Sequence, residues 1–233
     1  MKVLTWNILA SEWIKKSYYP TVKDQTLFQR KSRSKIIVDK LKEQAADIVF
    51  LQEVMPIEYR LLYDEFNTIY HFSRLHPIQW YKKNSESGNL TLVKKNLCTK
   101  WKETPFDHGL YVKVDNLHLF NVHLDDISYE KRIKQLSCIP LESSHVILAG
   151  DFNQNYKKKS KLYDLPGFTV HNHCDTYFIE KKMNLDNILT KGFVRAPSET
   201  CEYVPSHVEE GLNLYGSDHI PVTAILMKSK SKI

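Results

Sequence analysis

The sequence is short of the residues that punctuate chains. Seven glycines and nine prolines stand among 233 residues, and no stretch is rich in Gly and Ser or in Pro. That excludes a flexible linker and favours one domain over residues 1–233, ending in a basic tail at about 228–233. Cysteine is scarce as well, at Cys98, Cys138, Cys174 and Cys201, with no C-x-x-C pair. The spacing excludes a thioredoxin-type motif and a paired-cysteine zinc site. A secreted disulfide scaffold is normally smaller and richer in cysteine, so free thiols in a reducing compartment are expected. No apolar run reaches the length of a membrane span. The start, MKVLTWNILASEW, has one Lys and an apolar run broken by Asn7, which makes a poor signal peptide. The expectation is a soluble intracellular protein, cytoplasmic or nuclear and not secreted.

What is present suits a globular chain: 42% of the residues are hydrophobic, enough for a substantial core. Lys and Arg outnumber Asp and Glu by 33 to 27, a net charge of +6. The excess is modest and favours an anionic partner such as nucleic acid. The basic residues cluster at Lys15-Lys16, 30–35, Lys82-Lys83, Lys94-Lys95, 157–161 and the tail. Each cluster taken singly also suits a solvated face.

Apolar and alternating runs predict strands over 2–9, 46–54, 88–95, 145–152, 183–190 and 220–227. Residues 109–124 hold two alternating runs around Asp115-Asn116, a β-hairpin. Helices are expected over about 25–44, with the basic side outward, from Pro56 to about Phe66, and over 126–139 on the spacing of Ile127, Ile133 and Leu136. Residues 155–182 read mostly as loop. Strands with interspersed helices and a hairpin give an α/β or α+β fold with mixed sheets, not a purely parallel one.

One feature recurs. Apolar strands end in carboxylates, amides or imidazoles. Asn7 follows VLTW, Glu53 follows IVFLQ, His123 follows LFNV, and Asp151 and Asn153 follow VILAG. Asp186 sits within NLDNIL, and Asp218 and His219 precede IPVTAIL. Any one of these can be a strand reaching solvent, a helix cap or a satisfied histidine. Gathered on a single edge they would form one oxygen-rich pocket. Such hard ligands suit Mg²⁺ or Mn²⁺ over Zn²⁺. A His beside an Asp can act as a general base or a phosphate donor. The chemistry that combines them is metal-assisted attack of water on a phosphate ester.

The ordered set TWNIL, LQEV, SGNLTL, NVHLDD, AGDFN, LDNIL and SDHIPV resembles the exonuclease–endonuclease–phosphatase superfamily, from residue 3 to about 227. That superfamily holds nucleases, deadenylases, tyrosyl-DNA phosphodiesterase, inositol-polyphosphate 5-phosphatases and neutral sphingomyelinases. The resemblance implies a four-layer sandwich of two packed mixed β-sheets flanked by helices. It also implies roles. Glu53 matches the principal metal-binding glutamate, Asn7 an asparagine that supports the metal and the scissile phosphate, and Asp218 a second metal-site or water-positioning acid. Asp151 matches the acid that orients or activates water, Asn153 and Asn89 match residues near the phosphate or substrate, and His123 a histidine that contacts the phosphate or assists the leaving group. His219 matches the catalytic histidine and Asp186 the acid that hydrogen-bonds it. Leu9 stands where several nucleases carry Asp, which looks more like the deadenylase branch. Asp125-Asp126 resembles an acidic pair seen in branches that include the tyrosyl-DNA phosphodiesterase type.

The expected activity is Mg²⁺-dependent hydrolysis of phosphodiesters in nucleic acid, of the deadenylase or DNA-end-processing kind. Trp80 and Lys82, in IQWYKK, form the best candidate substrate-side loop, with Trp13, Tyr18, Tyr19, Tyr81 and Trp101 as further aromatics that could stack on bases. The alternative is a phosphatase or phosphodiesterase acting on a small molecule or a phosphoinositide headgroup. A catalytically dead binding module fits poorly, because every expected acid, amide and histidine is present. A zinc site on His171, His173 and Cys174 lacks an obvious fourth ligand. No motif points to a protein partner.

Overall fold

In the computed structural model the strands are β1 (Lys2–Asn7), β2 (Ile48–Val54), β3 (Tyr70–Phe72), β4 (His76–Pro77), β5 (Gly88–Lys94) and β6 (Trp101–Phe106). They continue with β7 (Gly109–Val114), β8 (Leu117–His123), β9 (Val146–Asp151), β10 (Thr169–Val170), β11 (Asp186–Lys191), β12 (Phe193–Arg195) and β13 (Val222–Lys228). The helices are α1 (Arg30–Gln44), α2 (Pro56–Phe66), α3 (Tyr129–Leu136) and α4 (Val208–Tyr215). The structure describes residues 1–78, 85–137, 139–140, 142–157, 161–179, 181–196 and 202–229.

Two mixed sheets carry the fold. The first runs β12-β13-β1-β2-β5-β3, with β4 also on β5; the second runs β10-β11-β9-β8-β7-β6. Each has one parallel pair at its centre, β1 with β2 and β8 with β9, and antiparallel neighbours outside it. The central strands are buried on both faces, which explains the near-continuous apolar runs of IVFLQEV and VILAGD.

Side-chain alternation assigns the layers. Leu4 and Trp6 of β1 and Val49 and Leu51 of β2 pack with Ile37 and Leu41 of α1, Leu62 and Phe66 of α2, and Tyr215 of α4. Val3, Ile48 and Phe50 point the other way and meet Leu119, Ile147 and Ile188 of the second sheet. Phe120, Val122 and Leu148 cover the far face with Leu136 of α3. The result is the expected order of helix, sheet, sheet and helix. The expected hairpin is present, Val114 pairing with Leu117 across Asp115-Asn116.

The helices show local corrections. The helix expected over 25–44 is two elements. A 3-10 turn, Gln25–Phe28, is capped by the Asp24 side chain, and Gln29 is extended (φ −76°, ψ 121°) before α1 begins. The basic face of α1 is not wholly outward, because Arg33 is buried. The helix expected over 126–139 is shorter. Ser128 caps α3, its side chain accepting from the Lys131 N–H. Ile127 therefore lies outside the helix and is 79% exposed, and Ile133 is exposed too. α3 turns Arg132 and Gln135 inward beside Leu136.

Candidate active site

Topology gathers the polar strand ends. β1 and β2 end together in one sheet and β8 and β9 in the other, as their parallel pairings require, and the hydrogen bond between Asn7 and Asp151 puts all four C-terminal ends on one edge of the sandwich. β11 runs antiparallel to β9, so its first residue, Asp186, pairs with Asp151, the last of β9. His123 pairs with Asp151 from the other side. β13 runs antiparallel to β1, which brings the preceding Asp218 and His219 to the same edge. Along β1 the inner face reads Val3, Thr5, Asn7, so apolar gives way to polar as the edge is reached.

Glu53 needs a special turn. Strict alternation would send it after Val49 and Leu51 to the helix side. The register shifts between Leu51 and Val54, and Glu53 adopts φ 59°, a bulge that swings the carboxylate round. Leu9 (φ 55°) and Asn153 (φ 49°) are also left-handed. Left-handed backbone at non-glycine residues is costly and clusters at functional sites.

Asn7 sits between the acids. Its Nδ2 donates to Glu53 Oε1 at 2.9 Å and to Asp151 Oδ2 at 3.1 Å. Its Oδ1 accepts from the Leu9 N–H at 3.0 Å, and its amide orients two carboxylates. The Ala10 N–H donates to Glu53 Oε2 at 2.8 Å. Asp151 lies 3.6 Å from His123 Nε2 and 3.9 Å from His219 Nε2, while its Oδ1 accepts the Asn153 N–H at 2.8 Å. His219 Nδ1 and Asp186 Oδ2 are 2.7 Å apart. Tyr19 donates its hydroxyl to Asp218 Oδ2 at 3.2 Å.

Burial sets the protonation pattern. Burial, then Asp218, pushes Glu53 up to about 7. Burial takes His123 down to about 4, against the pull of Asp151, so it is neutral at physiological pH. Burial also works against a charge on His219, but Asp186, Asp218 and Asp151 outweigh it and hold its pKa well above the ordinary value. Asp151 is raised by burial and by Asp186, with His219 and His123 opposing.

A cavity of about 610 Å³ opens over this edge and is lined by Asn7, Glu53, His123, Asp151, Asn153, Asp218 and His219. Asp186 lies beneath it, holding His219. Asn89 is fully buried, donates to the Asn121 carbonyl at 2.9 Å and does not line the cavity. Trp80, Tyr81 and Lys82 lie outside the described residues. A second cavity of about 600 Å³ opens at the opposite strand ends, with Asp115 its one carboxylate among the described residues. The choice between them rests on chemistry, since size does not separate them.

The sequence reading missed Tyr177 and took Tyr19 only as an aromatic that could stack on bases. Tyr19 reaches Asp218 from the loop after β1, and Tyr177 places its ring 5.1 Å from that of His219. Neither ends an apolar run, so strand-end polarity could not find them. The considered zinc cluster does not form: Cys174 is disulfide-bonded, which removes its thiolate and corrects the expectation of free thiols there, while Cys98 is free. His171 is bound to Thr190 Oγ1 at 2.6 Å.

The donor set fits a divalent cation. Asp218 Oδ1 is buried with no hydrogen-bond partner, and Glu53 is destabilised as an anion by that same carboxylate. A hard cation between them would relieve both. A second cluster of ligand atoms, from Asp151, Asp186 and His219, lies within 4.8 Å. Within it, the His219 Nδ1 is already committed to Asp186.

A buried imidazole held by one carboxylate and facing another, beside an acid pair, can serve the hydrolysis of a phosphoric ester. A family model described as "Endonuclease/Exonuclease/phosphatase family" matches residues 4–219, and the chain belongs to that family. The fold is similar to a humanized D. rerio TDP2 (17% identity, 98% of this chain and 99% of that one, TM-score 0.61). It is similar to ANGEL2, a 2',3'-cyclic phosphatase, in complex with adenosine-2',3'-vanadate (13%, 97% and 94%, 0.67). It is also similar to the human Nocturnin catalytic domain with bound sulfate (15%, 98% and 94%, 0.67). No protein with a curated description matches by sequence. No helix among the described residues is long and apolar enough to cross a membrane.

Proposed function

We propose that this protein hydrolyses phosphodiester bonds in nucleic acid with the help of Mg²⁺ or Mn²⁺. The observation that carries the proposal is Asp151, whose Oδ2 faces Asn7, His123 and His219 at 3.1, 3.6 and 3.9 Å in a buried pocket. Its raised pKa suits a general base that takes the proton of an attacking water. His219, held protonated by Asp186, offers its Nε2–H to an oxygen of the phosphate as negative charge builds there. Neutral His123 and the second amide hydrogen of Asn153 can donate to the same group, Asn153 using its first on the Leu124 carbonyl. Glu53 and Asp218 would hold the cation, with Asn7 orienting Glu53. When bound, the cation supplies charge neutralisation for the phosphate and polarises the scissile bond.

The nucleic-acid part rests on the net charge of +6 and on fold neighbours whose ligands are nucleic acid or nucleotide. D. rerio TDP2 is known with a single-strand DNA product, and ANGEL2 with an adenosine vanadate. The test is a panel of single-stranded RNA, single-stranded DNA and phosphoinositides with Mg²⁺ or EDTA. Mg²⁺-dependent cleavage of a nucleic acid is expected. Cleavage confined to lipid headgroups would overturn the substrate, and no cleavage of any ester would overturn the catalytic reading.

A further inference from the structure

The charge of the pocket does not match the charge of the chain. Although the protein is basic, no Lys or Arg lines the catalytic cavity among the described residues. Its wall instead carries four carboxylates, Glu53, Asp126, Asp151 and Asp218. Sites that take multiply phosphorylated ligands surround them with guanidinium and ammonium groups. Here a second negative charge on the substrate would face four carboxylates, with His219 the one cationic side chain among the described lining residues to offset it.

Outside the polar cluster of Asn7, His123, Asn153, His219 and the acids, the wall is apolar or aromatic. Trp13, Tyr18, Ile127, Tyr177, Ile179 and Met183 line the same cavity. Tyr18 is 49% exposed and Ile127 79% exposed, so neither is placed there by core packing. Ile127 is nevertheless held firmly. Asp125 Oδ1 accepts the N–H groups of Ile127 and Ser128 at 3.1 and 2.6 Å. Arg132 donates to the Asp125 carbonyl at 2.6 Å, and Gln135 Oε1 accepts the Asp125 N–H at 3.0 Å. A rigid turn that presents a bare isoleucine beside the reacting centre is suited to contact something flat or apolar.

We infer that the pocket selects a singly charged phosphodiester with a flat or apolar group beside the phosphorus, and discriminates against phosphate monoesters and polyphosphorylated headgroups. The inference rests on the catalytic reading above and sharpens its substrate. A diester keeps one negative charge and brings a substituent on each side of the phosphorus. One substituent would lie against Ile127 and Tyr18, where a base or an aryl ring gains contact.

Three esters with one leaving group test it on the full chain with Mg²⁺: bis(4-nitrophenyl) phosphate, methyl 4-nitrophenyl phosphate and 4-nitrophenyl phosphate. The expected order of kcat/KM is the diaryl diester, then the methyl diester, then the monoester, the first exceeding the last by at least about tenfold. Ile127→Ser and Tyr18→Ala should each lower the diaryl rate about three- to tenfold and the methyl ester less than about twofold. Binding without turnover gives a second readout. By calorimetry in Ca²⁺, diphenyl phosphate should bind about tenfold more tightly than phenyl phosphate, and Ile127→Ser should remove most of the difference. Equal or better use of the monoester, or an unchanged aryl-to-methyl ratio in both variants, overturns this inference and leaves metal-dependent diester hydrolysis standing. Absence of metal-dependent hydrolysis of every diester, nucleic acid included, overturns the catalytic reading and this inference with it.

Discussion

Asp186 holds His219 from beneath the pocket floor, its Oδ2 2.7 Å from the ring Nδ1, while Asp151 stands 3.9 Å from the ring's other nitrogen. The first contact fixes which nitrogen faces the pocket and stabilises the imidazolium. Asp186→Asn keeps the shape and loses the charge. It should lower kcat by about 10²- to 10⁴-fold with little change in melting temperature. The sign of the pH effect follows. His219 acts protonated and is held protonated by Asp186, so its loss lowers the pKa. The alkaline limb of the kcat profile should therefore move to lower pH in the variant, which steady-state rates from pH 5 to 9 would read.

Glu53 makes stability depend on pH and on metal in a stated direction. Its folded pKa, about 7, lies above the ordinary glutamate value, because of burial and then Asp218. Between those values the folded state binds the proton and the unfolded state does not, so stability falls as pH rises through the window and levels off above it. A divalent cation binds the ionised form and removes the cost. In EDTA, the urea midpoint should drop between about pH 5 and 7, and Glu53→Gln should flatten that slope. Added Mg²⁺ should raise the midpoint more at pH 8 than at pH 5. An equal increment at both would show that Glu53 is not the acid that the cation meets.

Most of this site can be read from the chain because strand ends are local signals. Asn7, His123, Asp151 and Asp186 each sit at an inner-face position at one end of a buried strand, so periodicity and register together place them. Glu53 has the wrong parity and is legible only through its motif, since the bulge that turns it is invisible to alternation. The observed roles of Tyr19, read only as a stacking aromatic, and Arg33, read as part of an outward basic face, are not legible in the sequence. Each belongs to a segment that reads as loop or solvated helix, and each is fixed by a partner about two hundred residues away, Asp218 and Gly216 respectively. α4 carried a readable signal in Val208, Leu212 and Tyr215 before Gly216, a helix with a left-handed glycine end. The short strands β3, β4, β10 and β12 have two or three residues each and rest on their neighbours for definition.

Gly150 is the residue that lets Asp151 arrive. It has φ 148°, and a Cβ there would fall 1.9 Å from the Val122 carbonyl oxygen. β8 and β9 could not stay in parallel register beside a side chain at that point, and the His123–Asp151 pairing lies one step further on. Gly150→Ala should cost at least about 3 kcal/mol in urea unfolding. Turnover per folded molecule should fall as well, because the displaced backbone carries the proposed base. Full activity in the folded fraction would show that Asp151 tolerates movement of its strand.

Arg33 joins the two loops that carry the acids. It is 2% exposed, donates from Nε to the Gly216 carbonyl at 2.6 Å and from Nη2 to the Ile8 carbonyl at 2.8 Å, and also binds the Leu9 carbonyl. One of these loops presents the Ala10 N–H to Glu53, and the other leads through Ser217 into Asp218. A planar guanidinium can serve both sides at once, and an ammonium group cannot reach them together. Arg33→Lys leaves buried carbonyls without a donor, at about 1–3 kcal/mol, whereas Arg30→Lys on the exposed side of α1 should cost under about 0.5 kcal/mol. The more telling readout is the metal. With no carboxylate changed, the Mg²⁺ concentration for half-maximal turnover should rise severalfold in Arg33→Lys, because Glu53 and Asp218 are no longer held at a fixed separation. A variant that loses stability but keeps the wild-type Mg²⁺ dependence would confine Arg33 to folding.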